Sequence, residues 1–231
     1  MNNFSHLVFN HTPKCGGSSF KTSLYKACLS NSYFSQTPIY ISEFTHNNMC
    51  LQKDNQYIPI IHNDTKLFAD HSHAYFFEKT FNLDISSTFR IISIRHPILR
   101  FISHMYFFDK LNPEYCSYNI LKEKTKEYGN ITIDYLTYFK YSHLNLDIET
   151  KYNIAIEELS KYNFIIKSDY MNESITELNH NNPFGLILEE SRVNTNNYNA
   201  NISKKVLQNL KSLLQFEILL LQNFYPNIQD E

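Results

Sequence analysis

Apolar side chains recur along this chain in two rhythms. Short unbroken runs flanked by turn-forming residues predict buried strands, and recurrence every three or four residues predicts helices with one packed face. The run HLVFN at 6–10 reads as a strand; a loop with two glycines follows, then a helix over 20–29. FRIISI at 89–94 is the clearest strand, bounded by Ser87 and Pro97. Pro97 suits the first turn of a helix, in which Ile98, Phe101, Ile102, Met105 and Tyr106 fall on one face. NFIIK at 163–167 is another buried strand, 67–69 a short one, and 185–188 a short extended piece. Helices are predicted over 120–126, 133–141, 149–162 and 171–179, with one long amphipathic helix over 203–224. Residues 31–66, rich in Asn, Ser, Thr and His, predict irregular chain with β-like pieces at 39–44 and 57–61. Strands alternating with helices imply an α/β fold with a mostly parallel sheet. No repeat or linker divides the sequence, so residues 1–231 are expected to form a single domain.

Composition narrows the field. With 42% hydrophobic and 15% aromatic residues the chain can bury a sizeable core. A charged fraction of 19% and a net charge of -2 exclude a disordered polyelectrolyte and argue against a nucleic-acid partner. Cysteines at 15, 28, 50 and 116 match neither a zinc pattern nor a disulfide framework, so reduced thiols and a cytoplasmic setting are expected. No signal peptide opens the chain, and no transmembrane segment is expected. The longest apolar stretch, 206–224, is interrupted by Gln208, Lys211, Gln215 and Glu217. Six N-x-S/T triplets, beginning with Asn3 and Asn10, are what an Asn-rich chain produces by chance.

The chain has four glycines, and two of them are adjacent at Gly16 and Gly17. Without Cβ atoms, successive backbone N–H groups can curl round an anion. Ser18 and Ser19 add hydroxyls, Lys14 adds a full charge, and the following helix turns its positive end toward the loop. An ordinary strand-to-helix turn would also use such a pair. A Walker A loop is excluded, because its lysine follows the second glycine whereas Lys14 precedes both.

Residues 11–20, HTPKCGGSSF, resemble the 5′-phosphosulfate-binding loop of the carbohydrate sulfotransferases, H-I-P-K-[TC]-[GA]-G-[TS]-S-[FL]. The resemblance implies a P-loop NTPase-like three-layer fold, a central sheet flanked by helices. It also implies the sulfate donor 3′-phosphoadenosine 5′-phosphosulfate (PAPS). Lys14 would reach the bridging oxygen between phosphate and sulfate, and Cys15, Gly16, Gly17, Ser18, Ser19 and Phe20 would complete the donor loop. A second segment, FRIISIRHPILRFISHMYFF at 89–108, is similar to the family's 3′-phosphate-binding segment. Arg95 and Ser103 match the residues that hold the 3′-phosphate there, while Arg100, which also matches the segment, is open to a structural reading. The position of Arg95 agrees with the general siting of ligands at the carboxyl ends of parallel strands. More faintly, 188–198 resembles a loop that closes over the donor, which makes Arg192 a nucleotide contact.

Between the two segments lies Asp70-His71-Ser72-His73. Side chains two apart on extended chain share a face, so His71 and His73 point the same way. A general base, a pair of structural histidines, or a metal site joined by His62 or Asp70 are the readings open to them. The stretch resembles the H-G-H of uronyl 2-O-sulfotransferases, which implies that His73 first, or His71 second, takes a proton from the acceptor hydroxyl. No metal is required. The expected activity is transfer of a sulfuryl group from PAPS to a saccharide or other hydroxyl. The alternatives are a kinase-like nucleotide enzyme and a non-catalytic nucleotide-binding module.

Overall fold

A computed structural model describes residues 4–41, 50–53, 56–59, 64–71, 74–141, 143–189 and 202–225. The strands are β1 (His6–His11), β2 (Ile39–Ile41), β3 (Cys50–Lys53), β4 (Gln56–Pro59), β5 (Leu67–Asp70), β6 (Thr88–Ile94) and β7 (Phe164–Lys167). The helices are α1 (Gly17–Ser30), α2 (Ala74–Phe81), α3 (Pro97–His104), α4 (Tyr118–Tyr128), α5 (Ile131–Tyr141), α6 (Ile148–Leu159), α7 (Met171–Asn181), α8 (Lys204–Leu213) and α9 (Gln215–Phe224). They fall into two compact units, each assembled from separate stretches of chain. The first takes residues 1–11, 16–93 and 162–194; the second takes 12–15, 94–161 and 195–231.

The first unit carries a five-stranded sheet in the order β2-β5-β1-β6-β7, with β1 parallel to both β5 and β6. Alternation along the strands sorts their side chains. Leu7 and Phe9 of β1, with Leu67, Ala69, Phe89 and Ile91, build one core with Phe20 and Leu24 of α1 and Ile175 and Leu178 of α7. On the other face Phe68 packs against Phe77 and Phe81 of α2, with ring centroids 5.1 and 5.0 Å apart. Helices thus cover both faces of a mostly parallel sheet, the three-layer α/β arrangement. Burying each such Phe or Leu contributes about 1.5–3 kcal/mol. In place of a further strand, Asn179 of α7 and Asn182, its C-cap, hold the extended residues Leu186 and Leu188 with side-chain amides. The N–H of Leu186 donates to Asn182 Oδ1 and that of Leu188 to Asn179 Oδ1, both at 2.8 Å.

The second unit is helical. Ile98, Phe101, Ile102 and Met105 pack with Leu121 of α4 and Val206, Leu210 and Leu214. Serine and aspartate caps start several helices, as at Asp147, whose carboxylate accepts the Thr150 N–H at 2.8 Å. Beyond His104 the chain does not stop but widens into a single π turn, Met105–Asp109. The one long helix expected over 203–224 is two, broken at Leu214, whose φ of -107° and ψ of 18° leave the helical region. Glu217, which interrupts the apolar stripe in the sequence, is fully buried. Its Oε1 accepts the Ile133 N–H at 2.9 Å, and its other oxygen lies 3.3 Å from the guanidinium of Arg100. Arg100 in turn donates to the carbonyls of Tyr128 and Gly129. The pair ties together the end of α4, the start of α5 and α9, so Arg100 is a core residue. Among the described residues no helix is long and apolar enough to cross a membrane.

Candidate active site

The chain crosses from the second unit into the first between Cys15 and Gly16. In the first unit, Gly16 stands at the N-cap of α1 with φ 68°, a left-handed conformation that favours glycine. No side chain caps this end, and no acidic residue lies in its first turn. The helix runs fourteen residues beyond this glycine. The Ser18 hydroxyl makes no hydrogen bond among the described residues.

The glycines answer first to protein neighbours. A Cβ on Gly17 would stand 1.8 Å from the ring of His11, and one on Gly16 would stand 2.8 Å from Met171 Cε. The close approach that the pair permits is therefore partly that of side chains. Phe20 is fully buried, with its ring centroid 4.4 Å from that of Phe9, and seats the start of α1 on the sheet.

His11 ends β1, and His71 directly follows the neighbouring strand β5. Their rings stack with centroids 3.9 Å apart, and His71 Nδ1 lies 2.8 Å from the His11 carbonyl oxygen. A carbonyl can only accept, so Nδ1 carries the proton and the basic lone pair falls on Nε2. His71 is exposed. Asp70 is engaged on both oxygens, by the Tyr40 hydroxyl at 3.1 Å and by the His71 N–H at 2.6 Å. His73, the first candidate for general base, and His62 and Arg192 lie outside the described residues.

In the second unit, Lys14 adopts φ 61°, and the guanidinium of Arg95 donates to its carbonyl oxygen at 3.5 Å. Two motifs far apart in sequence thus meet at their charged residues. Burial, then Arg95 and Lys110, push the Lys14 pKa below the ordinary lysine value. Its ammonium lies over the ring of Phe107, 3.8 Å from the centroid. Cys15 is buried with its thiol 3.5 Å from the Pro13 carbonyl. His96 caps α3, its Nδ1 accepting the Ile98 N–H at 3.3 Å, with Pro97 in the first turn. Ser103 is buried on α3, and its hydroxyl makes no hydrogen bond among the described residues.

Two residues of this neighbourhood, Phe107 and Lys110, escaped the sequence reading, whereas His104 takes the structural place expected of histidines outside the motifs. His104 is buried between Phe108 and Tyr128, and its Nδ1 lies 3.0 Å from the Arg100 carbonyl. Burial lowers its pKa to about 4, with Arg100, Lys14 and Arg95 adding to the depression. Phe107 and Lys110 had no signal, because the π turn that aims them leaves no mark in the hydrophobic spacing.

A family model described as the Sulfotransferase family matches residues 1–226 of the chain. No curated protein matches it.

Proposed function

The chain belongs to the sulfotransferase family, and from that premise we propose that it moves the sulfuryl group of PAPS to a hydroxyl on a saccharide. The observation that carries this reading is the contact between the two motifs, in which the Arg95 guanidinium donates to the backbone carbonyl of Lys14 at 3.5 Å. The N-terminus of α1 at Gly16, Gly17, Ser18 and Ser19, which carries no side-chain cap, suits the 5′-phosphate. Arg95 and Ser103 suit the 3′-phosphate, and Arg192 would join the donor contacts.

The acceptor oxygen attacks sulfur in line with the bond from sulfur to the bridging phosphate oxygen, which breaks. The products are the sulfate ester and the desulfated nucleotide. Lys14 stabilises the charge that grows on the bridging oxygen, an interaction strongest in the transition state. A histidine of the pair His71 and His73 takes the hydroxyl proton. His73 is the first choice by resemblance, while the tautomer of His71, with its lone pair on Nε2, suits it to the same task. No step of this scheme calls on a metal.

The test is transfer of labelled sulfate from PAPS to a panel of glycans, read by mass spectrometry, with the desulfated nucleotide titrated in parallel. Arg95→Ala should weaken nucleotide binding by about tenfold or more, the loss of one charge-assisted contact. Lys14→Ala should lower kcat by about 10²–10³-fold. Undiminished nucleotide binding by Arg95→Ala would overturn the donor site, and sulfation of peptide tyrosine alone would overturn the saccharide.

A further inference from the structure

The contact between Lys14 and Phe107 has a role within this sulfuryl-transfer reading, on which the inference rests. Lys14 is surrounded by like charge. Arg95 donates to its backbone carbonyl, and Lys110 sits at the end of the π turn, its Nζ 5.5 Å from the centroid of the same Phe107 ring. His104, the remaining titratable neighbour from α3, is held neutral and offers no negative charge. Among the described residues no carboxylate pairs with Lys14. Among the described residues, the electron-rich surface against its ammonium is the face of Phe107, at 3.8 Å.

Packing does not explain that ring. Phe107 is 47% exposed, so its position returns little by way of buried apolar surface. The π turn Met105–Asp109 presents it, and the Lys110 ammonium donates to its carbonyl oxygen at 2.8 Å, bracing the turn. Single π turns inside helices are frequent at functional sites.

We infer that Phe107 is a positioning residue for Lys14: its ring face holds the ammonium in place among like charges until the bridging oxygen of the donor takes the ring's place. A cation–π contact is weaker than a charge-assisted hydrogen bond to a phosphate oxygen, so the ring can localise the lysine and still release it. The contact also favours the charged amine against burial, Arg95 and Lys110, which all favour the neutral one. A neutral lysine could not offset charge on the leaving oxygen.

The experiment compares Phe107→Leu, which removes the ring but keeps apolar bulk, with Phe107→Tyr, which keeps the face. Phe107→Met serves as a second ringless variant should the leucine protein melt early. The Lys14 ammonium is followed by NMR in ligand-free, 15N-lysine-labelled protein and identified by its loss in Lys14→Arg. Without the ring its titration midpoint should fall by about half to one pH unit, and with tyrosine it should stay. The alkaline limb of kcat/KM should move by the same amount in the same direction. An unchanged Lys14 midpoint in both ringless variants overturns the inference and leaves sulfuryl transfer standing. A shifted midpoint in a protein that transfers no sulfate from PAPS overturns the functional reading, and with it the role given to the ring.

Discussion

The Nδ1 atom of His71 lies 2.8 Å from the carbonyl oxygen of His11, so the end of one strand orients an imidazole just beyond the end of its neighbour. In the proposed reaction that contact would orient Nε2 of His71 as a base. The His71 ring cannot turn without breaking that bond and the stack at 3.9 Å.

His71→Ala and His73→Ala separate the two candidate bases. The variant lacking the true base should bind the desulfated nucleotide as before and lose about 10²–10⁴-fold in kcat. The other should retain most of its turnover. Single-turnover sulfate transfer, measured beside nucleotide titration, assigns the base.

Gly17→Ala should be damaging although alanine is the better helix former. The added methyl would meet the His11 ring at 1.8 Å. Either the ring or the start of α1 must move, a rearrangement that costs about 1–3 kcal/mol. Urea unfolding should register the loss, and turnover should fall further than stability because His71 leans on His11.

Glu217→Ala should destabilise the protein by about 3–5 kcal/mol, since it strands the Arg100 guanidinium in the core without its partner. Replacing both partners, Arg100→Met with Glu217→Leu, should be much milder. Denaturant midpoints of the two variants, compared with the unchanged chain, check the asymmetry.

His104 makes stability depend on pH. Its pKa in the folded protein is about 4, below the ordinary value of 6.5, mainly through burial. The unfolded chain therefore binds the proton more tightly, and stability is full above about pH 6.5 and drains away as pH falls toward 4. The difference is about 3 kcal/mol across that window. His104→Phe should flatten this part of the profile in urea unfolding between pH 7.5 and 4.5; an unaltered slope would count against the buried neutral imidazole.

Much of this could be read from the chain, and the exceptions have physical causes. β1 and β6 are apolar runs buried on both faces, which is why HLVFN and FRIISI read as strands. The adjacent Gly16 and Gly17 were legible as a place of close approach, because backbone crowding restricts such positions to glycine. α2 was missed because AYFFEKTF crowds aromatics too densely to show a helical spacing. The break at Leu214 was missed because the apolar stripe runs through it, and Glu217 read only as an interruption of that stripe, whereas the core supplies Arg100 and the Ile133 N–H. The role of Arg100 needed three-dimensional partners that no local pattern records.

The π turn at Met105–Asp109 has a consequence for how this segment can vary. An α-helix advances about 100° per residue, so one residue accommodated in a wider turn acts as a phase shift on everything beyond it. Ile98, Phe101, Ile102 and Met105 keep the inward phase, while Phe107 and Phe108 emerge in another. Point substitutions there change a side chain, but a single-residue deletion would return the helix to its original phase. The ring over Lys14 would then swing by about a quarter-turn and leave the ammonium, with no residue of the loop 11–20 altered. In this stretch of chain, length is as strict a requirement as identity.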